Sequence, residues 1–275
     1  GKDSSYVTVL LPSNTIKITR DQGENMITIT GTIDRGATAV SEQLSVEDPA
    51  LYAATVFRET LEYRGFTISG GTMAASELEE KIKYSNPGNT QTISQVISPP
   101  LSEIVRVVNK KSQNFYAEQL LRTIGKETLG KGNWESGISA EKKYFSSLGL
   151  DGDKFTLYDG SGLSRMDLVS PSDIVALLRA VGRQPKIFPA FDSSLPVMGI
   201  DGTLSERLRQ SGARGNVHAK TGFLTGVRCL SGYLKTKDDE LLAFSILVNN
   251  YSVPTREVND LQDEIILRLV NFSRK

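Results

Sequence analysis

Three strand patterns follow one another near the end of the sequence, and they limit the possible folds more than any other feature. Residues 227–234 and 241–248 are rich in apolar and β-branched side chains, and the polar segment 235–240 between them suits a hairpin loop. Residues 217–222 form a further strand pattern just before them. We therefore predict an antiparallel hairpin with another strand beside it.

The leading strand ends in Lys220-Thr221-Gly222, which suits the binding of a peptide with a free C-terminal carboxylate. A peptide can lie along a strand and share its backbone hydrogen bonds. Lys220 and Thr221 offer a charge and a donor to the carboxylate, and Gly222 has no side chain to block the approach. The plainer interpretation is a solvated Lys-Thr-Gly before a turn, and three residues alone do not decide between the two.

Composition excludes several classes of function. The 32 basic and 32 acidic residues balance, which gives no support to nucleic-acid binding. A single cysteine, Cys229, precludes an intrachain disulfide. A single histidine, His218, precludes a His-rich zinc site, so we expect no metal and no cofactor. In a strand, His218 shares a face with Lys220, so it lies either near a site or partly buried in the sheet.

Residues 1–71 carry β-rich patterns and one helix. Strands are predicted at 6–11, 15–20, 26–33 and 66–69. Asp48 and Pro49 are typical of a helix start, and Gly65 of a helix end. Because residues 72–92 are polar and end in turn-forming residues, we place a linker there, between a domain at 1–71 and a domain at 93–275.

Residues 93–275 are mainly helical up to the strands described above. The spacing of apolar residues predicts the following elements: a helix at 101–108 that ends in a loop at 109–111, a helix capped by Ser112, a helix at about 136–148, a short strand at 155–158, a helix beginning at Ser170, a short helix at 204–210, and a closing helix at 255–272. Helices flanking an antiparallel sheet indicate an α+β fold.

A second chemical candidate is Ser112-Gln113-Asn114 at a predicted helix start. A hydroxyl and a carboxamide two residues apart can point into one cleft there. The plainer interpretation is an N-cap serine followed by a first-turn asparagine. Such a triplet also arises by chance, so alone it carries little weight.

Four stretches together give a specific resemblance, and they lie at residues 110–118, 158–165, 195–204 and 219–222. Their sequences are KKSQNFYAE, YDGSGLSR, LPVMGIDGTL and AKTG. They resemble the D-alanyl-D-alanine carboxypeptidase/endopeptidase family of class C low-molecular-mass penicillin-binding proteins. The resemblance implies a penicillin-binding-protein/β-lactamase-like transpeptidase domain, here incomplete. It also implies that the β-rich residues 1–71 are part of an inserted domain.

The resemblance implies catalytic roles for three residues. Ser112 would be the second-motif serine, which relays a proton to the leaving group. Asn114 would hydrogen-bond the substrate amide. Lys220 would supply positive potential and support the relay. The substrates would be peptidoglycan stem peptides ending in D-Ala-D-Ala, and β-lactam antibiotics would bind at the same site.

The resemblance also implies substrate-binding roles at the third motif. Thr221 would donate to the terminal carboxylate, and Gly222 would let the peptide lie close. The backbone N–H of Phe223 would be one donor of the oxyanion hole. Many relatives have threonine in place of Phe223, so the side-chain contact to substrate is expected to differ here.

The family's nucleophile is a Ser-x-x-Lys upstream of the second motif. The only match here, Ser139 to Lys142, comes after that motif and is typical of a solvated helix face. We therefore expect the chain to be a C-terminal piece of a longer exported, periplasmic or extracytoplasmic protein. It should be inactive alone and should expose a surface for its missing N-terminal segment, where self-association is possible.

Two alternatives stay open at this point. One is a β-lactamase-type hydrolase within the same superfamily, against which the 159–165 stretch and the β-rich region argue. The other belongs to a different class of function. It is a non-catalytic module that binds peptidoglycan peptides along the Lys220 strand.

Overall fold

A computed structural model describes residues 6–10, 15–33, 36, 39–77 and 92–274. The chain divides into two compact units, Gly1–Gln95 and Val96–Lys275. Most of the predicted linker, residues 78–91, lies outside the described residues. Within the described residues, no helix is long and apolar enough to cross a lipid bilayer.

The described residues of the first unit form two antiparallel strand pairs and one α-helix. Strand β1 (Tyr6–Leu10) pairs with β4 (Ala39–Gln43), and β2 (Lys17–Arg20) pairs with β3 (Ile27–Thr30). Helix α1 is Pro49–Tyr63. The predicted cap is confirmed, since the Asp48 carboxylate accepts the Leu51 N–H at 2.9 Å.

The strand predicted at residues 66–69 is wrong. After Gly65, whose φ of 89° reverses the chain, this segment folds back along α1. The Phe66 N–H donates to the Leu61 carbonyl at 3.0 Å, and Arg58 donates to the Gly70 carbonyl at 2.7 Å. These contacts to the helix take the place of strand pairing.

The second unit is built on the predicted three-stranded sheet. Strands β5 (His218–Leu224), β6 (Val227–Lys235) and β7 (Leu241–Asn249) are antiparallel and lie in that order. In the β5–β6 register, Lys220 lies opposite Ser231. The prediction of a strand beside a hairpin is confirmed.

Six α-helices in the described part of this unit accompany the sheet, as the α+β prediction requires. They are α2 (Leu101–Lys111), α3 (Asn114–Leu129), α4 (Trp134–Ser147), α5 (Pro171–Gly182), α6 (Phe188–Ser194) and α7 (Thr255–Val270). The main core joins one sheet face to α7 through buried residues that include Leu230, Leu234, Phe244, Ile266 and Val270. A smaller cluster packs Tyr233 against Leu178 and Leu195. The sheet therefore has apolar partners on both sides.

The boundary between α2 and α3 differs from the prediction. Residues 109–111 continue α2 instead of forming a loop. Ser112 does not cap α3 but ends α2 in the left-handed conformation, with a φ of 54°. Gln113 is the N-cap of α3, and its side chain accepts the Phe115 N–H at 2.9 Å. One left-handed residue suffices to change the direction of the chain.

Two short elements were also predicted wrongly. Residues 155–158 form no strand, only an isolated bridge between Thr156 and Leu168. Residues 204–210 form no helix. A single 3₁₀ turn at Gly202–Leu204 is followed by irregular turns, and Leu208 has a φ of 50° that a continuous helix does not allow. The chain here packs against other elements instead of forming its own regular hydrogen bonds.

Helices α3 and α4 cross at a glycine contact. A side chain at Gly137 would place its Cβ 2.4 Å from the Leu121 carbonyl oxygen. At Gly125 the Cβ would lie 2.6 Å from the Gly137 backbone nitrogen. The two backbones can approach this closely only because neither position carries a side chain. Because α3 begins directly after Gln113, this crossing supports the region of the second motif.

Candidate active site

The fold brings the two predicted catalytic groups into direct contact. Lys220 lies on β5 and Ser112 lies between α2 and α3, 108 positions earlier. The Lys220 ammonium donates to the Ser112 hydroxyl at 2.7 Å and to the Thr221 carbonyl at 2.7 Å. Ser112 makes this contact from the left-handed residue that ends α2.

The environment of Lys220 favours proton exchange. Burial lowers its pKa to about 8, and the positive charge of Arg228 contributes in the same direction. Such an ammonium is mostly protonated at neutral pH, yet it releases its proton more readily than an exposed lysine. With Ser112 at hydrogen-bond distance, the pair can pass a proton from nitrogen to oxygen.

Strand β5 lies at the edge of its sheet. The segment before it covers only its first residues: Val197 bridges to His218, and the Ala219 N–H donates to the Pro196 carbonyl at 2.9 Å. Beyond Ala219, no described strand pairs with this outer edge. The backbone around Lys220 is therefore available to an extended peptide.

The remaining residues of the third motif are also placed. Thr221 donates to the Thr203 hydroxyl at 2.8 Å. A Cβ at Gly222 would lie 3.2 Å from the Cβ of Cys229, so a larger residue would crowd the neighbouring strand. The Phe223 ring is exposed, and the Arg228 guanidinium carbon lies 5.6 Å from its centre.

Asn114 is the first residue of α3 and is exposed. Its side chain makes no hydrogen bond with any described residue, in contrast to the directly bonded Ser112 and Lys220. Its carboxamide is accessible two positions after Ser112, but no contact joins it to Lys220.

Glu118 and Asp159 fix the loop at 159–165 through its backbone N–H groups. The Glu118 carboxylate accepts from Gly160 at 3.2 Å and Ser161 at 3.0 Å, and Asp159 accepts from Ser164 at 2.7 Å. Burial acts to raise the pKa of Glu118. Its hydrogen bonds, of which the one with Ser161 contributes most, together outweigh burial and lower the pKa.

The same loop contacts the β5–β6 turn. The Arg165 guanidinium donates to the Thr225 carbonyl at 2.9 Å. Residues of all four sequence stretches thus take part in one connected region.

Known proteins can now be compared with this arrangement. Residues 5–271 match the D-Ala-D-Ala carboxypeptidase 3 (S13) family. The chain belongs to this family. Among curated relatives, the D-alanyl-D-alanine carboxypeptidase of Actinomadura sp. (strain R39) is 37% identical over 266 residues, covering 95% of this chain and 48% of the relative. The penicillin-sensitive carboxypeptidase A of Dictyostelium discoideum is 31% identical, covering 94% and 49%.

The fold is shared with a solved structure. The crystal structure of penicillin binding protein 4 (dacB) from Haemophilus influenzae has a TM-score of 0.79 and 24% identity, and the match covers 94% of this chain and 56% of that one. The S13 chain described here spans about half the length of the curated relatives it matches. The resemblance drawn from the four sequence stretches is confirmed at the level of family and fold.

Sequence reasoning did not single out three residues that connect the S13 motifs. The Lys110 ammonium contacts both carboxylate oxygens of Asp201, at 2.9 and 2.7 Å, and the Val197 N–H donates to Asp201 at 2.9 Å. The third is Thr203, the acceptor from Thr221. All three lie inside the stretches 110–118 and 195–204, so their position in the motifs was the available signal.

The electrostatics of Asp201 follow from this ion pair. Burial acts to raise the pKa of its carboxyl, but the hydrogen bond from Lys110, together with that from Val197, outweighs it and lowers the pKa. Asp201 is therefore a carboxylate at neutral pH whose charge is balanced by Lys110.

His218 has a partner of its own. Its Nδ1 lies 2.9 Å from an Asp192 carboxylate oxygen, and this hydrogen bond raises its pKa. The side chain is half-buried, and no described contact joins it to Ser112. Within the described residues, no group of three or more His, Cys, Asp or Glu side chains could hold a metal ion.

The Ser139–Lys142 pattern lies on α4. Lys142 is 3.8 Å from the Asp153 carboxylate, and no hydrogen bond joins it to Ser139 among the described residues. The prediction of a solvated face is wrong for Glu141, which is half-buried. Burial raises the pKa of Glu141 to about 7, and the charge of Asp167 adds to the shift.

Proposed function

We propose that this S13 chain carries the second and third motifs of a serine-type D-Ala-D-Ala carboxypeptidase/endopeptidase that acts on peptidoglycan stem peptides through an acyl-enzyme. The observation that carries the proposal is the 2.7 Å contact between the Lys220 ammonium and the Ser112 hydroxyl. It joins a cation with a lowered pKa to a hydroxyl that can pass on its proton.

The proposed reaction has two steps. A nucleophilic serine, whose proton passes to the lysine of its Ser-x-x-Lys, attacks the carbonyl carbon of the penultimate D-alanine, and the bond to the terminal D-alanine nitrogen breaks. Ser112 gives its hydroxyl proton to the leaving amine and takes a replacement from Lys220. Water then hydrolyses the ester and restores the serine.

The binding half of the proposal uses the open edge of β5. The peptide lies extended along the strand, and its backbone forms hydrogen bonds with the backbone of β5. Lys220 and Thr221 face the terminal carboxylate, Asn114 bonds the substrate amide, and the Phe223 N–H contributes to the oxyanion hole. β-Lactams, whose ring carbonyl stands in for the scissile amide, bind at the same place.

The nucleophile is proposed to come from a Ser-x-x-Lys outside residues 1–275. Neither the position of Ser139 nor the contact between Lys142 and Asp153 supports those residues as the reacting pair. The chain alone is therefore proposed to be inactive, with the rest of the longer protein as its partner and self-association as a possible outcome when that part is missing. Because peptidoglycan lies outside the cytoplasmic membrane, the proposed location is periplasmic or extracytoplasmic.

The experiment is intact-protein mass spectrometry after incubation with a labelled penicillin. It compares residues 1–275 with the product of the complete reading frame. One covalent adduct on the longer protein and none on residues 1–275 is the expected result. An adduct mapped to Ser139 would refute the placement of the nucleophile. No adduct on either protein would leave a peptide-binding module as the better account, and turnover of the penicillin would favour a β-lactamase.

A further inference from the structure

Thr203 is positioned to meet a ligand at the end of β5. It is exposed, it lies in the 3₁₀ turn Gly202–Leu204, and its hydroxyl accepts the Thr221 hydroxyl at 2.8 Å. Thr221 is the residue proposed to bind the substrate carboxylate. The two hydroxyls therefore form one polar surface contributed by two separate segments.

Counting protons shows which donors are available to an anion. Each threonine hydroxyl has one proton, and the Thr221–Thr203 bond uses one of the two. The other proton has no acceptor within the described part of the chain. Lys220 has three N–H groups, of which two go to the Ser112 hydroxyl and the Thr221 carbonyl. One ammonium N–H and one hydroxyl proton are thus left for a carboxylate.

The next position of the third motif cannot supply that hydroxyl. Phe223 has no polar atom in its side chain, and its ring packs near the Arg228 guanidinium. The side-chain hydroxyl nearest to Thr221 in the hydrogen-bond network is that of Thr203. The free proton of the pair thus belongs to Thr203 whenever Thr221 is the donor.

An ion pair holds Thr203 in place and makes its surroundings suitable for an anion. Asp201, two residues earlier, binds Lys110 through both carboxylate oxygens, and the Lys110 side chain is only 15% exposed. At Gly202, where φ is 59°, a Cβ would lie 2.9 Å from the Lys110 carbonyl oxygen, so the turn packs directly on the end of α2. Without Lys110, the charge of Asp201 would repel a carboxylate bound at Thr203.

We infer that Thr203 is a further substrate-binding residue, which donates the free hydroxyl proton of the Thr221–Thr203 pair to the C-terminal carboxylate of the peptide, beside the Lys220 ammonium. The inference rests on the proposed function, since it names a residue for the same site. Lys110 and Asp201 are positioning residues that keep the Thr203 turn against the end of α2. Ser112, two residues after Lys110, is fixed from the same point.

The test is an NMR titration of the ¹⁵N-labelled 275-residue chain with two probes. One is N-acetyl-D-Ala-D-Ala and the other is its C-terminal amide, which lacks the carboxylate. The wild-type chain should bind the acid more tightly than the amide. In a Thr221→Val background, where the proton of Thr221 cannot take its place, Thr203→Val removes the remaining hydroxyl donor and should reduce this preference about tenfold, since a hydrogen bond to a charged group is lost. Its affinity for the amide should not change.

Thr203→Ser in the same background is the matched control, because it keeps the hydroxyl and should keep the preference. The ¹⁵N spectra report whether each variant is folded, and Thr203 is exposed enough for its substitutions to be accommodated. An unchanged preference when Thr203→Val is added to Thr221→Val would overturn the inference and leave the proposed function in place. If the wild-type chain binds neither probe, the proposed peptide site fails and the inference fails with it.

Discussion

Lys220 is a half-buried cation, and its ionisation should be visible in the stability of the protein. Its pKa is about 8 in the fold against 10.5 for an unperturbed lysine, mainly because of burial. Between these values the unfolded chain binds more protons than the folded chain, so this group makes stability rise with pH. The free energy of unfolding of the wild type, minus that of Lys220→Met, should increase by about 2 kcal/mol from pH 8 to pH 10.5.

Chemical denaturation at a series of pH values measures this difference. Lys143→Met, at an exposed position on α4, is the control for the removal of a lysine. A flat difference for Lys220→Met would mean that the Lys220 ammonium is not destabilised by burial. The proton relay with Ser112 would then lack its electrostatic basis.

For Glu141 we expect the opposite dependence of stability on pH. Its pKa is raised to about 7 from 4.5, first by burial and second by the charge of Asp167. The folded chain therefore binds more protons than the unfolded chain between pH 4.5 and pH 7, and this group makes stability fall as pH rises through that range. Glu141→Gln should raise the free energy of unfolding by about 2 kcal/mol at pH 8 and leave it nearly unchanged at pH 4.5.

Thermal or chemical denaturation at the two pH values tests the Glu141 prediction. Glu127→Gln, at an exposed position on α3, serves as the comparison for the removal of a carboxylate. Equal effects of Glu141→Gln at pH 4.5 and pH 8 would contradict a buried carboxyl group.

At the scale of single residues, the sequence indicated which residues belong to the candidate site better than it indicated their backbone conformation. Sequence motifs singled out Lys220 and Ser112, which the fold places in contact, because each residue belongs to a short run with fixed spacing. The left-handed φ of Ser112 was missed because serine has no local preference for this conformation, so no local pattern in the sequence indicates it. Thr203 was missed because a lone hydroxyl has no pattern, and its partner lies 18 positions away.

At the scale of secondary-structure elements, the packing of α3 against α4 depends on glycines where the two helices cross. An alanine usually stabilises a helix relative to glycine, by about 1 kcal/mol. At Gly137, however, the new Cβ would lie 2.4 Å from the Leu121 carbonyl oxygen and 2.7 Å from the Leu121 Cγ. Gly137→Ala should therefore lower the free energy of unfolding by about 2 kcal/mol, because the helices must move apart.

Gly132→Ala is the matched substitution, since its Cβ would meet the Arg122 carbonyl oxygen at an ordinary 3.7 Å. It should change the free energy of unfolding by less than about 0.5 kcal/mol. Denaturant unfolding compares the two variants. An unchanged free energy of unfolding in Gly137→Ala would show that the backbones of α3 and α4 are farther apart at this crossing than the structure describes.

Long periodic elements were predicted well, and short ones were not. The apolar stripe of α7 and the alternation in β6 and β7 fix those elements locally. The strands predicted at 66–69 and 155–158 have too few residues for periodicity to decide, and contacts to α1 and to Leu168 determined the outcome instead. The loop predicted at 109–111 is wrong for a related reason, because a polar last turn of a helix has the same composition as a loop.

For the whole molecule, the distribution of buried apolar residues between the two units is unequal. Both core clusters lie in the unit Val96–Lys275. Among the side chains described in the unit Gly1–Gln95, the only buried one is that of Ala74. Because apolar burial supplies most of the driving force for folding, the two units should differ in their ability to fold alone.

Residues 96–275 expressed alone should give a dispersed ¹⁵N spectrum and a cooperative unfolding transition. Residues 1–95 alone should give a narrow spectrum and no cooperative transition, because among their described side chains only that of Ala74 is buried. The cross-peaks of β5, β6 and β7 in the shorter chain should overlay those of the 275-residue chain, since the sheet takes its core from α7 and α5. A narrow ¹⁵N spectrum for residues 96–275 would mean that the unit with the candidate active site needs the first 95 residues for stability. A dispersed spectrum for residues 1–95 would mean that more apolar surface is buried in the first unit than its described side chains provide.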